Sequence, residues 1–372
     1  MKHWYIICFT VSIFAVSNAQ TQLTTMGVLP REIGESSGLE IGQGDTYWTH
    51  NDKGDQPWLF LLSSEGKLLR KVFIKNVTAK DLEDLTIEED KFMYVGDFGN
   101  NKNDRQDLRI YKIRLEWLYQ QDTVIPETIH FSYEDQRIFP PKKADRNFDC
   151  EAFFWYRGQL YLFTKNRGDS GYTKCYGMNT TQEKQVARLI DSFMTGNWVT
   201  SADISPLGNK MALLCGPVLY VFTDFKQDKF FKGKHFKTVM AATQKEAAVF
   251  KSEEKLVMTD ERNNMQEGLL YSLSIKDERV FSIHQERFVI SPFPVNKELL
   301  IVYTMADTTQ YVMEIKHLDN NRTVLKETIN AYKNYFTKLS LAGWEDGKYQ
   351  ITFSHQKERY FLKQLFNVQR EN

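Results

Sequence analysis
Residues 81–111 read DLEDLTIEEDKFMYVGDFGNNKNDRQDLRIY. Asp81, Glu83 and Asp84 open the stretch, a short strand follows, and Phe92, Met93, Tyr94 and Val95 make a second, apolar strand. A loop of Gly, Asp and Asn then leads into a third strand over 108–113. Carboxylates and amides gather at the start of the first strand and the end of the second. In an antiparallel hairpin those two ends share one edge, so the stretch predicts a β-unit with a polar rim.

The layout recurs four more times. Ser37-Gly38-Leu39 precedes Tyr47-Trp48-Thr49-His50-Asn51-Asp52, and Glu151-Ala152-Phe153 precedes Leu160-Tyr161-Leu162-Phe163-Thr164-Lys165. Ala202-Asp203-Ile204 and Glu246-Ala247-Ala248 stand in the same way before Met211–Cys215 and Leu256–Asp260. The third members of these triplets, at 39, 85, 153, 204 and 248, are 46, 68, 51 and 44 residues apart. Third strands follow over 58–62, 108–113, 172–178, 218–222 and 268–275, with fourth strands legible over 68–74, 128–133 and 186–190. About four short strands per repeat of roughly 45 residues is the pattern of a β-propeller. Five blades are favoured, and six fit the same length. A strand around 23–28 is expected to pair into the last blade, leaving no open edge on the ring. The long second interval holds Pro126, Pro140 and Pro141, and residues 116–148 read as a surface insertion between blades.

Ahead of the repeats, Lys2 and His3 precede an apolar run over 4–16, and Ser17-Asn18-Ala19 offers a small-x-small cleavage site. Residues 1–19 therefore read as a secretory signal peptide, too short to span a bilayer. Export places the protein outside the cytoplasm. Beyond the leader, 47 basic residues face 48 acidic ones, so there is no global field to draw nucleic acid or anionic lipid. Cys150, Cys175 and Cys215 follow no metal-binding spacing and read as small buried residues.

From residue 288 the repeat gives way to a smaller all-β unit, with strands expected over 310–317, 323–328 and 348–355 and a tight turn at Asp319-Asn320-Asn321. Apolar and polar residues alternate through Gly347-Lys348-Tyr349-Gln350-Ile351-Thr352-Phe353, as in a half-buried strand. The expected division is a signal peptide over 1–19, a propeller over 20–287 and a β-sandwich over 288–372. Ser291-Pro292-x-Pro294 leading into Glu298-Leu299-Leu300-Ile301 resembles the C-terminal sorting domain of type IX secretion cargo. So do Leu318-Asp319-Asn320-Asn321-Arg322-Thr323-Val324 and Leu339-Ser340-x-x-Gly343 with Gly347-x-Tyr349. Phe293 stands where that family usually has Asn. The resemblance implies type IX secretion machinery as partner and delivery to the cell surface or medium.

The repeats resemble a second family, of secreted bacterial propellers. The resemblance rests on Glu35-Ser36-Ser37-Gly38-Leu39, His50-Asn51-Asp52-x-Gly54, Glu83-Asp84-Leu85, Gly96-Asp97-Phe98-Gly99-Asn100-Asn101, Arg105, Glu151-Ala152 and Thr164-Lys165. That family is similar in architecture to phytase-like and lactonase-like propellers, some of which hold calcium.

In a propeller the first strand of each blade lines the channel. The aligned column Ser37, Glu83, Glu151, Ala202 and Glu246 then sets three glutamates at one height. Glu35, Asp97, Asp203 and Glu261 join them as candidate metal ligands. His50, Asp52, Asn100, Asn101, Arg105, Lys165 and Arg262 are candidate ligand-binding groups. Converging carboxylates repel and need compensation. A hard cation such as Ca2+, held by six to eight oxygens, supplies it; so does pairing with Lys165 or the arginines. In a third reading these groups only satisfy loop amides. Two functions fit: a binding protein for a glycan, peptide or small ligand at the acidic face, or a metal-dependent hydrolase of a phosphoester, lactone or glycosidic bond. No phosphate-cradling loop motif is present.

Overall fold
A computed structural model describes residues 23–52, 54, 56–168, 171–240, 243–262, 267–275, 287–291, 298–304, 310–330, 336–355 and 361–368. The signal peptide and residues 292–297, which hold the prolines of the Ser-Pro-x-Pro segment, lie outside these residues. Among the described residues no helix is long and apolar enough to cross a membrane.

The N-terminal strand β1 (Thr24–Val28) is followed by the first blade, β2 (Ser36–Ile41), β3 (Thr46–Asn51), β4 (Trp58–Ser63) and β5 (Leu68–Ile74). The second blade opens with β6 (Leu82–Glu88), β7 (Phe92–Asp97) and β8 (Arg109–Arg114). A short helix, α1 (Leu115–Gln120), and a two-residue strand, β9 (Thr123–Val124), then precede its fourth strand, β10 (Glu127–Tyr133). Blade 3 comprises β11 (Asp149–Tyr156), β12 (Gln159–Lys165), β13 (Tyr172–Asn179) and β14 (Lys184–Met194). Blade 4 comprises β15 (Ser201–Ile204), β16 (Lys210–Cys215), β17 (Val218–Thr223) and β18 (Lys234–Val239). β19 (Lys245–Ser252), β20 (Lys255–Asp260) and β21 (Leu269–Ser274) form blade 5, and β1 pairs antiparallel with β21 as its fourth strand. The first strands touch in the cyclic order β2, β6, β11, β15, β19 and back to β2. The ring has five blades.

The ring also explains why its strands read as apolar runs rather than strict alternations. Successive side chains of a strand point to opposite faces, and each blade is packed on both. Leu59 and Leu61 of β4 join the core shared with blade 2, while Phe60 and Leu62 join the core shared with blade 5. Five apolar clusters result, one at each blade interface. Cys150, Cys175 and Cys215 are buried free thiols within them.

Residues 116–148 are woven into the ring instead of lying on it as an insertion. β9 pairs parallel to β5 of blade 1, and β10 pairs antiparallel to β8 and parallel to β14. Blades 2 and 3 thereby merge into one eight-stranded sheet. The sequence reading missed this because parallel pairing of outer strands leaves no local pattern.

The C-terminal β-sandwich has a three-stranded sheet of β22 (Arg287–Ser291), β23 (Glu298–Thr304) and β26 (Phe336–Ser340). Its four-stranded sheet contains β24 (Gln310–His317), β25 (Arg322–Asn330), β27 (Gly347–His355) and β28 (Phe361–Val368). Ile301 of the first sheet packs with Met313, Ile315, Ile351 and Phe353 of the second. Asn321 takes φ 53° in the predicted turn, a conformation Asn tolerates.

Candidate functional site
Glu83, Glu151 and Glu246 each fall at an irregularity of the innermost hairpin. Pairing slips between Leu82 and Asp84, between Cys150 and Ala152, and between Lys245 and Ala247. Blade 1 slips between Ser36 and Leu39, at the position of Ser37, whereas blade 4 pairs regularly through Ala202. A bulged residue leaves the ladder and its side chain is re-aimed. Bulges therefore mark the blades whose column residue is polar.

Among the described residues, two groups of three carboxylates form here: Asp52, Asp81 and Glu83, and Glu83, Asp149 and Glu151. Within each, one oxygen per residue lies within 4.8 Å of the others. Glu83 belongs to both. Lys165 Nζ donates to Glu151 Oε2 at 2.8 Å, while Arg167 donates to Glu151 Oε1 at 3.0 Å and to Asp149 Oδ2 at 2.5 Å. The backbone N–H of Asn100 donates to Asp149 Oδ1 at 2.5 Å. Both cations also lie over the half-exposed Trp198 ring, 4.8 Å from its centre for the Arg167 guanidinium and 5.6 Å for Lys165 Nζ.

The charges follow from this packing. Burial first, then Glu151, Asp52, Asp149 and Asp81, push the Glu83 carboxyl well above its usual range. Burial and then Glu151 raise Asp149 to about 7, against the pull of Arg167. Glu246 and Glu261 also rise to about 7, both chiefly through burial; Lys165 opposes the rise in each, whereas Asp52 adds to it. Burial works against the Lys165 ammonium, but Glu151 and Glu246 outweigh it and hold its pKa above the ordinary value.

Gly99 makes room for this group. A Cβ there would lie 2.0 Å from Glu83 Oε1 and 2.6 Å from Asp81 Cγ. Two oxygens across one calcium ion are about 5 Å apart at most. An all-oxygen, anionic donor set of this spread can hold a divalent metal ion.

Other candidates lie elsewhere or serve the walls. Asp97 is fully buried and accepts from Arg105 at 2.9 Å, Tyr111 at 3.0 Å and the amide of Asp81 at 3.1 Å. Asp260, its counterpart in blade 5, accepts from Tyr271 at 2.6 Å and pairs with Lys245 at 3.4 Å. Asn100 caps the adjoining loop through Phe148 O and the Arg105 amide, and Asn101 reaches Asp81 at 3.5 Å. Asp203 accepts from the amides of Ile204 at 2.7 Å and Phe250 at 2.6 Å, strapping blade 4 to blade 5. Asp84 does the same from blade 2 to Phe153 of blade 3 at 3.0 Å. His50 is fully buried, bonded through Nδ1 to Asn51 O at 2.8 Å, and burial lowers its pKa to about 4. Arg262 pairs with Glu267 and reaches Leu29 O at 3.2 Å. The amide of Glu35 meets Asn51 Oδ1 at 3.3 Å, and its backbone carbonyl accepts from the Asp52 amide at 2.9 Å.

Asp81, Asp149 and Trp198 were not among the sequence-predicted site residues, whereas Arg167 was among the cations expected at the mouth. A usable signal existed for the first two, the Asp-x-Glu spacing of Asp81-Leu82-Glu83 and Asp149-Cys150-Glu151.

No protein-family model matches the sequence, and no curated protein is significantly similar to it. Among solved structures, the chain is similar to PorZ, a surface component of the type IX secretion system of Porphyromonas gingivalis. The identity is 9%, the TM-score 0.33, and the likeness covers 90% of this chain and 45% of PorZ. The chain thus spans less than half the length of PorZ. It is similar to a glucose dehydrogenase at 8% identity and TM-score 0.44, over 68% of this chain and 99% of the other. Hsv2 of Kluyveromyces marxianus matches at 12% identity and TM-score 0.29, over 78% of this chain and 83% of its own. At such values none of them lends this chain an activity.

Proposed function
We propose that the chain is an exported binding propeller whose acidic mouth holds calcium between Asp52, Asp81 and Glu83 and captures an oxygen-rich ligand beside it. The observation that supports this most directly is the sharing of Glu83 between two carboxylate groups. Lys165 and Arg167 pair with the Asp149–Glu151 side, while Glu151, Asp52, Asp149 and Asp81 all oppose a charged Glu83, which a divalent cation held beside it would offset. The exposed Trp198 ring offers a stacking face next to Lys165 and Arg167, suited to a glycan, a peptide carboxylate or a small anion. The resemblance of residues 288–366 to type IX sorting domains supports export by that route to the surface or medium.

Hydrolysis is the second reading, favoured by Asp149. Its carboxyl, raised to about 7 beside the cluster, has the value a general acid or base needs near neutral pH. One experiment separates the readings. Metal-free protein is titrated with calcium and then assayed on phosphoester, lactone and glycoside substrates. Calcium uptake without turnover supports binding, turnover supports hydrolysis, and no calcium uptake overturns the cation site. For export, deletion of residues 288–372 should leave the protein in the periplasm, and unchanged delivery would overturn the sorting role.

A further inference from the structure
The inward-facing column of β24 ends on a polar group. Tyr311, Met313 and Ile315 are buried in the sandwich core, and His317, next in the same period of two, is only 4% exposed. Neither of its ring nitrogens has a hydrogen-bond partner among the described residues. Buried polar groups are almost always bonded, so this imidazole calls for a further partner. Two carboxylates face it from different segments. Asp319 Oδ2, in the β24–β25 turn, lies 3.5 Å from Nε2, and Glu345 Oε2, in the loop before β27, lies 4.0 Å from Nδ1. Both gaps exceed the length of a charge-assisted hydrogen bond, about 2.7–2.9 Å. We propose that His317 Nε2 and Asp319 Oδ2 hold a divalent transition-metal ion of the zinc class.

The spacing fits such an ion. Two ligands of a tetrahedral zinc, each about 2.0–2.1 Å from the metal, stand about 3.3–3.4 Å apart, close to the 3.5 Å between Nε2 and Oδ2. Gly347 leaves this gap clear: a Cβ there would lie 2.4 Å from His317 Nε2 and 2.6 Å from Asp319 Oδ2. An imidazole nitrogen suits zinc, copper or nickel, whereas calcium and magnesium take oxygen. The site therefore differs in chemistry from the all-oxygen set in the ring. Glu345 has another role. A metal-bound histidine commonly donates its second ring N–H to a carboxylate, which fixes the tautomer and leaves the other lone pair to the metal. Glu345 stands on the Nδ1 side, where such a partner belongs. The Tyr349 hydroxyl anchors its loop by donating to Glu345 O at 2.7 Å, and the Tyr349 ring lies 4.6 Å from that of His317. Asn320 Nδ2 donates to Glu345 Oε2 at 3.4 Å, and the Lys348 amide donates to Asp319 Oδ2 at 3.3 Å. Both carboxylates are thus held beside the ring. Two protein ligands leave the remaining positions of the ion to water or to an outside donor.

The test is calorimetric titration of zinc chloride into the full chain, with excess calcium present to occupy any hard-cation site in the ring. Saturable zinc uptake is expected. His317→Phe keeps a ring against Tyr349 and should abolish that uptake. If that variant does not fold, Asp319→Asn probes the same site, since the Asp319 side chain is 59% exposed; circular dichroism checks both folds. Asp319→Asn should weaken uptake by more than the roughly tenfold that loss of an outer partner costs, and Glu345→Gln by about that tenfold. A histidinium paired with the two carboxylates in place of a metal would take up no zinc. Absence of uptake by the wild type, or a wild-type titration in folded His317→Phe or Asp319→Asn, would overturn the proposal. The site belongs to the sandwich, so its failure leaves the calcium reading of the ring standing.

Discussion

Lys165 Nζ and Glu151 Oε2 stand 2.8 Å apart, with the lysine side chain 13% exposed and the glutamate 5%. The pair joins the end of β12 to the bulge of β11 within one blade, and Arg167 adds a second cation to the same carboxylate. Breaking a buried pair strands a charge, at a cost of about 3 kcal/mol or more. Lys165→Met should lower unfolding free energy by roughly that amount, and Lys165→Met/Glu151→Met should recover much of it. Denaturant melts of the two variants give the comparison. A single variant as stable as wild type would mean Arg167 compensates Glu151 by itself.

Calcium that binds only the folded ring stabilises it by mass action, by about 2.7 kcal/mol at 100 times the dissociation constant. Thermal melts with calcium and with chelator should differ accordingly. Glu83→Gln should remove most of the increment, since Glu83 serves both carboxylate groups. Identical wild-type melts in calcium and chelator would eliminate the site.

Acidity should act on the metal-free ring in a defined direction. Asp149, Glu246 and Glu261 have folded values near 7, above those of an unfolded chain. Such groups take up protons on folding. Their contribution is fully present below the unfolded value and is lost as pH rises through about 7. The melting temperature in chelator should fall between pH 5 and about 7.5. Calcium affinity should rise over the same window, because deprotonating these neighbours of Glu83 and Asp52 adds negative charge beside the ion. A melting temperature that climbs with pH in chelator would contradict the assignment.

Gly99 has no spare room. Gly99→Ala sets a methyl group against Glu83 Oε1 and the Asp81 side chain, and such overpacking costs about 1–3 kcal/mol. The variant should melt lower and lose its calcium response. Retention of both would mean the loop carrying Gly99 yields freely.

The propeller and the sandwich are proposed as separate domains. Residues 20–286 expressed alone should unfold in one cooperative transition, since each domain carries its own core. A broad, non-cooperative melt would argue against a boundary near residue 287.

The ring was legible because its strands bury both faces at fixed intervals. Leu59 and Phe60 are apolar for two different neighbours, and such runs bounded by Gly and Asn survive in sequence. The glutamate column at 83, 151 and 246 was visible for the same reason. The bulges beneath it were not, because a bulge is a property of register against a partner strand. Asp97 looked equivalent to Glu83 along the chain. Its enclosure by Arg105 and Tyr111 depends on how the loop after β7 folds back, which spacing does not encode. Asp203 shared an alignment column with Asp84, and both proved to strap neighbouring blades. Trp198 had no motif at all; only the loop after β14 brings it under two cations.

The pairing of β1 with β21 fixes an order of events. Thr24–Val28 leaves the ribosome, and any export channel, long before Leu269–Ser274 does. β1 therefore has no strand to pair with until almost the whole ring has emerged, and this closing contact is among the most distant in the chain. Contacts of that separation slow folding. Until then the ring is an open arc with apolar interface surface at both ends.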